Sequence, residues 1–177
     1  MSIEKNRLAI VAARDFIYDK KIATDRTVVV TGAWGVGKTT LATAFSEMLG
    51  VTMLDGDIDG NYKVIKERLS SSVQQDGRVI AALNLAETRF DVSDMESLKL
   101  KGRLLIINLI ADPDTRFANM AMRSKGFTES SEEKARWAIE ASPNYYTKLA
   151  DLVLDWSSNN RIDDQEVRSI LGARSLN

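Results

Sequence analysis

The chain has 177 residues, 44% of them hydrophobic, which suits one domain with a substantial core. Its 24 basic and 25 acidic residues leave a formal net charge of −1, so no global field draws it to nucleic acid or to a membrane surface. Cysteine and histidine are both absent, which excludes disulfides, thiolate nucleophiles, zinc–thiolate sites and Ser-His-Asp triads. Chemistry must then rest on Asp, Glu, Lys, Arg, backbone amides and a hard metal ion.

Residues 1–18 carry Glu4, Lys5, Arg7, Arg14 and Asp15 and lack the continuous apolar core of a signal peptide. No apolar run reaches the length of a bilayer span, so a soluble cytoplasmic protein is expected. Residues 3–19 read as an amphipathic helix, with Leu8, Val11, Ala12 and Phe16 at helical spacing. Thr27 to Thr31 is a β-branched run that reads as a buried strand. A glycine-rich loop follows, then a helix from Thr39 to Leu49 closed by Gly50. Val51 to Leu54 is a second strand, ending in Asp55-Gly56-Asp57, and Tyr62 to Val73 is helical.

Val79-Ile80-Ala81-Ala82-Leu83 has helix-favouring alanines, yet its length and the preceding Asp76-Gly77 turn favour a third buried strand. Arg103 to Ile110 is the clearest strand, and Asp112-Pro113 opens a helix with proline in its first turn. Ser130 or Ser131 caps a helix reaching about residue 141, Leu152 to Leu154 is a last strand, and Asp163 to Leu171 a terminal helix. Strands alternating with helices give an α/β fold, a five-stranded parallel sheet with helices on both faces.

Gly32-Ala33-Trp34-Gly35-Val36-Gly37-Lys38-Thr39, followed by Thr40, matches the phosphate-binding loop pattern completely, between a strand and a helix. Glycines let successive amides turn inward as an anion nest, and the helix beginning near Lys38 aims its positive end at the same phosphates. Lys38 can bridge the β- and γ-phosphates of ATP, and the Thr39 hydroxyl can ligate Mg²⁺. The loop alone also serves GTPases and motors. No Asn-Lys-x-Asp guanine motif is present, and the compact length favours a small kinase.

Asp55-Gly56-Asp57 falls at the carboxyl end of the second strand, the edge where open α/β sheets bind ligands. An aspartate there can take the proton of an attacking hydroxyl or help hold Mg²⁺; Asp57 is assigned as base and metal ligand, with Asp55 supporting on the substrate side. The competing reading is a simple Asp-Gly turn. Asn84 and Arg89, together with Glu87, would face the acceptor from the end of the third strand, unless they form a solvated helix face. Arg116, Arg123, Lys125 and Arg136 fall in a segment of about 112–142 that reads as a lid hinged near Gly126. Cations carried in by such a segment neutralise charge on the transferring phosphoryl group. Arg123 and Arg136 are assigned to that task ahead of Arg116, the alternative being surface pairing with Glu129, Glu132 or Glu133.

On these residues the chain resembles the small P-loop kinases related to nucleoside monophosphate kinases, and most closely dephospho-CoA kinase. The carriers are Gly-Ala-Trp-Gly-Val-Gly-Lys-Thr-Thr with Leu49-Gly50-Val51, Asp55-Gly56-Asp57, Arg123 to Glu129 through Arg136, and Ala150 to Asp155. Asp55-Gly56-Asp57 is also similar to the motif of gluconate and adenylylsulfate kinases. The resemblance spans roughly residues 27–171 and implies the P-loop NTPase fold with sheet order 2-3-1-4-5. It also implies ATP and Mg²⁺ handled by Lys38 and Thr39, Asp57 as the acceptor-activating aspartate, and Arg123 and Arg136 as lid arginines. The stretch from Asp57 to Arg103 is short for a CoA-binding region, and an extra helix precedes the first strand, so the resemblance carries the activity class and leaves the acceptor open.

Three functions are therefore expected in competition. The first is a kinase for a small nucleotide or nucleotide-like acceptor. The second is a polynucleotide-type kinase acting on DNA, with Lys63, Lys66, Arg68, Arg89, Lys99, Lys101 and Arg103 lining a groove. The third is a regulatory ATPase without an acceptor. Compact kinases of this kind look like phage nucleotide kinases. Trp34 inside the loop would shield it or pack on the N-terminal helix, and Trp156 would stack on adenine or fill the core.

Overall fold

A computed structural model describes residues 10–16, 27–56, 66–71, 79–83, 95–97, 99, 104–123, 148–155 and 165. Five strands form one sheet: β1 (Thr27–Gly32), β2 (Thr52–Asp55), β3 (Val79–Leu83), β4 (Leu104–Ile110) and β5 (Leu152–Asp155). Their spatial order is β2-β3-β1-β4-β5, and all four pairings are parallel. Two helices are bounded in full, α1 (Lys38–Leu49) and α2 (Pro113–Arg123); residues 10–16, 66–71 and 95–97 are also helical.

The strand at 79–83 settles the ambiguity left by its alanines. β3 is bonded on both sides, Leu54 opposite Ala81 and Val30 opposite Ala82, so pairing along two edges overrides the helical preference of alanine. β1 is central and all six of its residues are buried, the continuous apolar run expected of a strand covered on both faces.

Side-chain alternation divides the interior into two clusters. On one face Val28, Val30, Ile80, Ala82, Ile107 and Leu109 meet Leu41 and Phe45 of α1 together with Ile10 and Ala13. On the other, Val29, Ala81, Leu83 and Ile106 meet Leu69 and Met95. The N-terminal helical residues thus cover the α1 face, and Ile10 and Ala13 face inward. Ala12, expected on the apolar stripe, is exposed; Val11 and Phe16 are half-buried against the same cluster. The expected helix at 130–141 lies outside the described residues, and of the terminal one only Gln165 is described, in helical conformation.

At the amino edge of the sheet, Asp151 fastens the start of β5 to β4. Its Oδ2 accepts the Ile106 N–H at 2.8 Å, its own N–H donates to Ile106 O at 2.8 Å, and its Oδ1 pairs with Lys99 Nζ at 3.0 Å. Lys99 also donates to Leu149 O. Asp151→Ala removes a charge-assisted bond to a buried strand amide and is expected to lower stability by about 1–2 kcal/mol, moving the thermal midpoint down by roughly 2–8 °C. Lys99→Met, which removes the partly solvated ion pair and the Leu149 bond but leaves the Asp151–Ile106 bonds, should cost at most about 1 kcal/mol. Thermal melts of the two variants check the order; equal losses would contradict it.

Candidate functional site

The glycine loop begins where β1 ends, at the carboxyl edge of the sheet. Gly32 is still paired with Leu109 of β4, and a Cβ at Gly32 would lie 2.3 Å from Leu109 O. Gly35 meets a second backbone: a Cβ there would lie 2.4 Å from Arg116 O of α2, at a φ of +76°. Both glycines are therefore dictated by close approach of main chains, in addition to the phosphate chemistry expected from the motif. Val36 points inward and is 1% exposed, while Trp34 points out and is 42% exposed, so Trp34 does not pack as a core residue.

Gly37 is the N-cap of α1, with no side chain capping it and no acidic residue in the first turn. The first helical bond runs from Leu41 N to Gly37 O, which leaves the amides of Lys38, Thr39 and Thr40 at the open end of the helix. Such an end attracts an anion, and an acidic cap would have competed with it. Lys38 folds back over the loop and donates from Nζ to Ala33 O at 2.9 Å.

α2 grips the loop from the side. Asp112 starts that helix, its Oδ1 accepting the Thr115 amide at 2.7 Å while its carbonyl accepts the Arg116 amide, and Pro113 occupies the first position. This start sets the helical phase and puts Arg116 and Asn119, three residues apart, on one face. Arg116 Nε donates to Trp34 O at 2.7 Å, and Asn119 Nδ2 donates to Gly35 O at 2.8 Å. Arg116 is only 5% exposed, and burial pushes its guanidinium below its ordinary value by desolvation. It remains a cation at any physiological pH, because arginine does not deprotonate in proteins.

Asp55 closes β2, two strands from β1 and so about 10 Å away laterally at about 4.8 Å per spacing. It is 6% exposed. Met53 packs on the α1 cluster and Leu54 on the other, so Asp55 returns to the α1 face. Thr43 Oγ1 donates to Met53 Sδ at 3.2 Å, which fixes how α1 lies over β2. One helical turn back towards the start of α1, about 6 Å, and two residues forward along β2, about 7 Å, bring Thr39 and Asp55 to the same level. The two residues thus share a level at the carboxyl edge, Thr39 on α1 and Asp55 on β2. Among the described residues no group of three or more acidic side chains forms a metal cluster.

Of the expected site residues, Gly32 through Thr40 form one continuous loop and helix start, and Asp55 lies buried at the same edge of the sheet at the end of β2. Asp57, Asn84, Arg89 and Arg136 lie outside the described residues, as does the side chain of Arg123, the last residue of α2. Arg116 changes assignment: expected on a lid, it is buried against the loop. Asn119 was missed: the Asp112-Pro113 start gives its helical phase, but nothing local marks the loop carbonyl it meets. Lys99 also departs from expectation, since its bonds to Asp151 and Leu149 hold it at the amino edge, opposite the glycine loop, and away from any groove there. Arg68 lines a cavity of about 480 Å³ with Thr52, Leu54, Glu67, Ser71 and Val79. Thr52 and Val79 open their strands, which places that cavity towards the amino edge as well. No described helix is long and apolar enough to cross a membrane.

No protein-family profile and no curated protein matches this chain in sequence. Solved structures do match in fold. A gluconokinase from Sinorhizobium meliloti 1021 superposes with a TM-score of 0.56 at 18% identity, covering 85% of this chain and 91% of its own. A shikimate kinase from Acinetobacter baumannii in complex with shikimate gives 0.56 at 19% identity, covering 88% and 94%. Another shikimate kinase, from Bacteroides thetaiotaomicron, gives 0.52 at 18%, covering 85% and 96%. With its parallel 2-3-1-4-5 sheet and its glycine loop between β1 and α1, the chain has the P-loop kinase fold.

Proposed function

We propose that the chain is an ATP- and Mg²⁺-dependent kinase that moves the γ-phosphoryl group to a hydroxyl of a small acceptor. The observation that carries this reading is the uncapped amide nest of the loop, strapped by Lys38, with the buried Asp55 at the same edge of the sheet. The amides from Gly35 to Thr40 would receive the β- and γ-phosphates. Lys38, with three donors, can keep its bond to Ala33 O while reaching a phosphate oxygen. Thr39, with Asp55 beside it and Asp57 two residues further on, supplies the hard oxygen ligands that suit Mg²⁺. When bound, the ion neutralises charge on the β- and γ-phosphates.

In the transfer step the acceptor oxygen bonds to the γ-phosphorus as the bond from that phosphorus to the ADP oxygen breaks. The hydroxyl proton passes to the Asp57 carboxylate. Lys38, Arg123 and Arg136 take up charge on the equatorial oxygens, and Asn84 and Arg89, just beyond the carboxyl end of β3, orient the acceptor. The chain shares most of its length with kinases whose names and bound shikimate denote small acceptors, which favours a small hydroxylated molecule, nucleotide-like or a hydroxy acid. The amino-edge position of Lys99 weighs against a DNA groove.

Incubation with γ-labelled ATP and a panel of nucleosides, nucleoside monophosphates, dephospho-CoA, gluconate, shikimate and a DNA oligonucleotide should label one small acceptor. Label on the oligonucleotide alone would replace this reading by the polynucleotide one. ATP hydrolysis indifferent to every acceptor would replace it by a regulatory ATPase.

Lys38→Met should reduce transfer by about 10²–10³-fold with the thermal midpoint nearly unchanged, because Nζ lies at the loop surface and outside the core; retained turnover would refute its phosphate role. Asp55→Asn should raise the half-saturating Mg²⁺ concentration by about tenfold or more, read from a Mg²⁺ titration of the initial rate.

A further inference from the structure

We infer that Arg116 and Asn119 of α2 are positioning residues that hold the phosphate loop in its anion-binding shape before any nucleotide arrives. The inference rests on the kinase reading only for the rate measurements below. It begins from peptide geometry. No cis peptide bond occurs among the described residues, so each carbonyl in the loop points opposite to the N–H of the same peptide unit. The Trp34 carbonyl shares its peptide with the Gly35 amide, and the Gly35 carbonyl shares its peptide with the Val36 amide. Arg116 draws the first carbonyl towards α2 and Asn119 draws the second. Both amides must then point away from α2.

Lys38 bonds Ala33 O across the loop, and the amides of Lys38, Thr39 and Thr40 are open at the start of α1. A phosphate held by those groups would meet the loop on the side away from α2. Two consecutive donors are therefore aimed where the phosphates would sit, and this aim is set by side chains outside the motif. A flexible glycine loop otherwise has many conformations, and ordering it on binding would consume affinity. Here the order is in place beforehand.

The choice of side chains supports the same conclusion. Burying a guanidinium is costly, and an apolar side chain of similar volume would pack as well or better in a purely structural role. An arginine at 5% exposure that donates to a loop carbonyl adds what an apolar residue cannot: a fixed planar donor and a permanent positive charge beside the loop. Gly35 completes the contact, because its missing Cβ is what lets the Arg116 backbone approach.

The test is ATP binding by calorimetry, in the presence of Mg²⁺, to the full chain and to Asn119→Ala, Asn119→Asp, Arg116→Met and Arg116→Lys, with initial rates measured alongside. Each loss of a donor should weaken ATP binding by about tenfold, the equivalent of one hydrogen bond. Asn119→Asp should be worse than Asn119→Ala, since a carboxylate repels the Gly35 carbonyl. Arg116→Lys should recover part of what Arg116→Met loses.

The KM for ATP should rise in every variant while the KM for the acceptor stays within about twofold, a split that general loosening of the fold would not produce. Circular dichroism melts verify folding. Asn119, at a half-buried position, keeps the test decisive if the Arg116 variants fail to fold. Folded Asn119 variants that bind ATP within twofold of the parent would overturn the inference. If the parent binds ATP but phosphorylates nothing, and the variants still bind more weakly, the kinase reading falls and the positioning role stands. A parent chain that does not bind ATP would overturn both.

Discussion

The contact on which the site depends is that between the glycine loop and the first two turns of α2. Gly32 lies against Leu109, Gly35 against the Arg116 backbone, and the Trp34 and Gly35 carbonyls against Arg116 and Asn119. A loop of this composition has little intrinsic shape, so its shape is borrowed from β4 and the helix that follows. The order of the sheet makes the loan possible. β4 is the immediate neighbour of β1, so a helix leaving β4 at the carboxyl edge starts beside the loop leaving β1. The Asp112-Pro113 cap then sets the phase of that helix to within one residue.

The same parallel arrangement places the rest of the chemistry. All five strands point their carboxyl ends to one edge, and α1 returns along one face from that edge to the start of β2. Asp55 therefore ends its strand beneath the start of α1, where the Thr43–Met53 contact aligns it with Thr39. The opposite edge carries structural bonds instead, with Asp151 and Lys99 fastening β5 to β4. Polar groups at the two edges thus do different work: one edge is fastened internally, and the other presents donors outward.

Much of this was legible in the sequence because it depends on local signals. The loop has an eight-residue pattern with a strand before it and a helix after it. β1 is a β-branched run and β4 a long aliphatic one, and even 79–83 followed from its length and flanking turn. What escaped depends on contacts distant in sequence. Arg116 and Asn119 bond carbonyls 82 and 84 residues away, and nothing around them distinguishes a loop brace from an arginine on an amphipathic surface helix. Membership of one segment gave Arg116 and Arg123 a shared lid reading, whereas Arg116 is buried against the loop. Ala12 was placed on the inner stripe of the first helix because periodicity fixes the spacing of a face and leaves its phase to packing. Ile10 and Ala13 won that position.

A chain without histidine or cysteine must build an anion site from fixed charges, and fixed charges are awkward in a folded interior. Here Lys38 stands at the front of the loop, where solvent tempers its cost, and Arg116 stands behind it at 5% exposure. Burial desolvates the rear cation and lowers its affinity for a proton, and phosphate charge bound in the loop would add to the interactions that already hold it. On the kinase reading, a bound phosphate would stabilise the folded chain through the loop that Arg116 holds, so ligand and stability are linked there. A charged donor thus sits where an apolar side chain would only fill space, and with it α2 holds Trp34 and Gly35 of the motif in the shape the phosphate would meet.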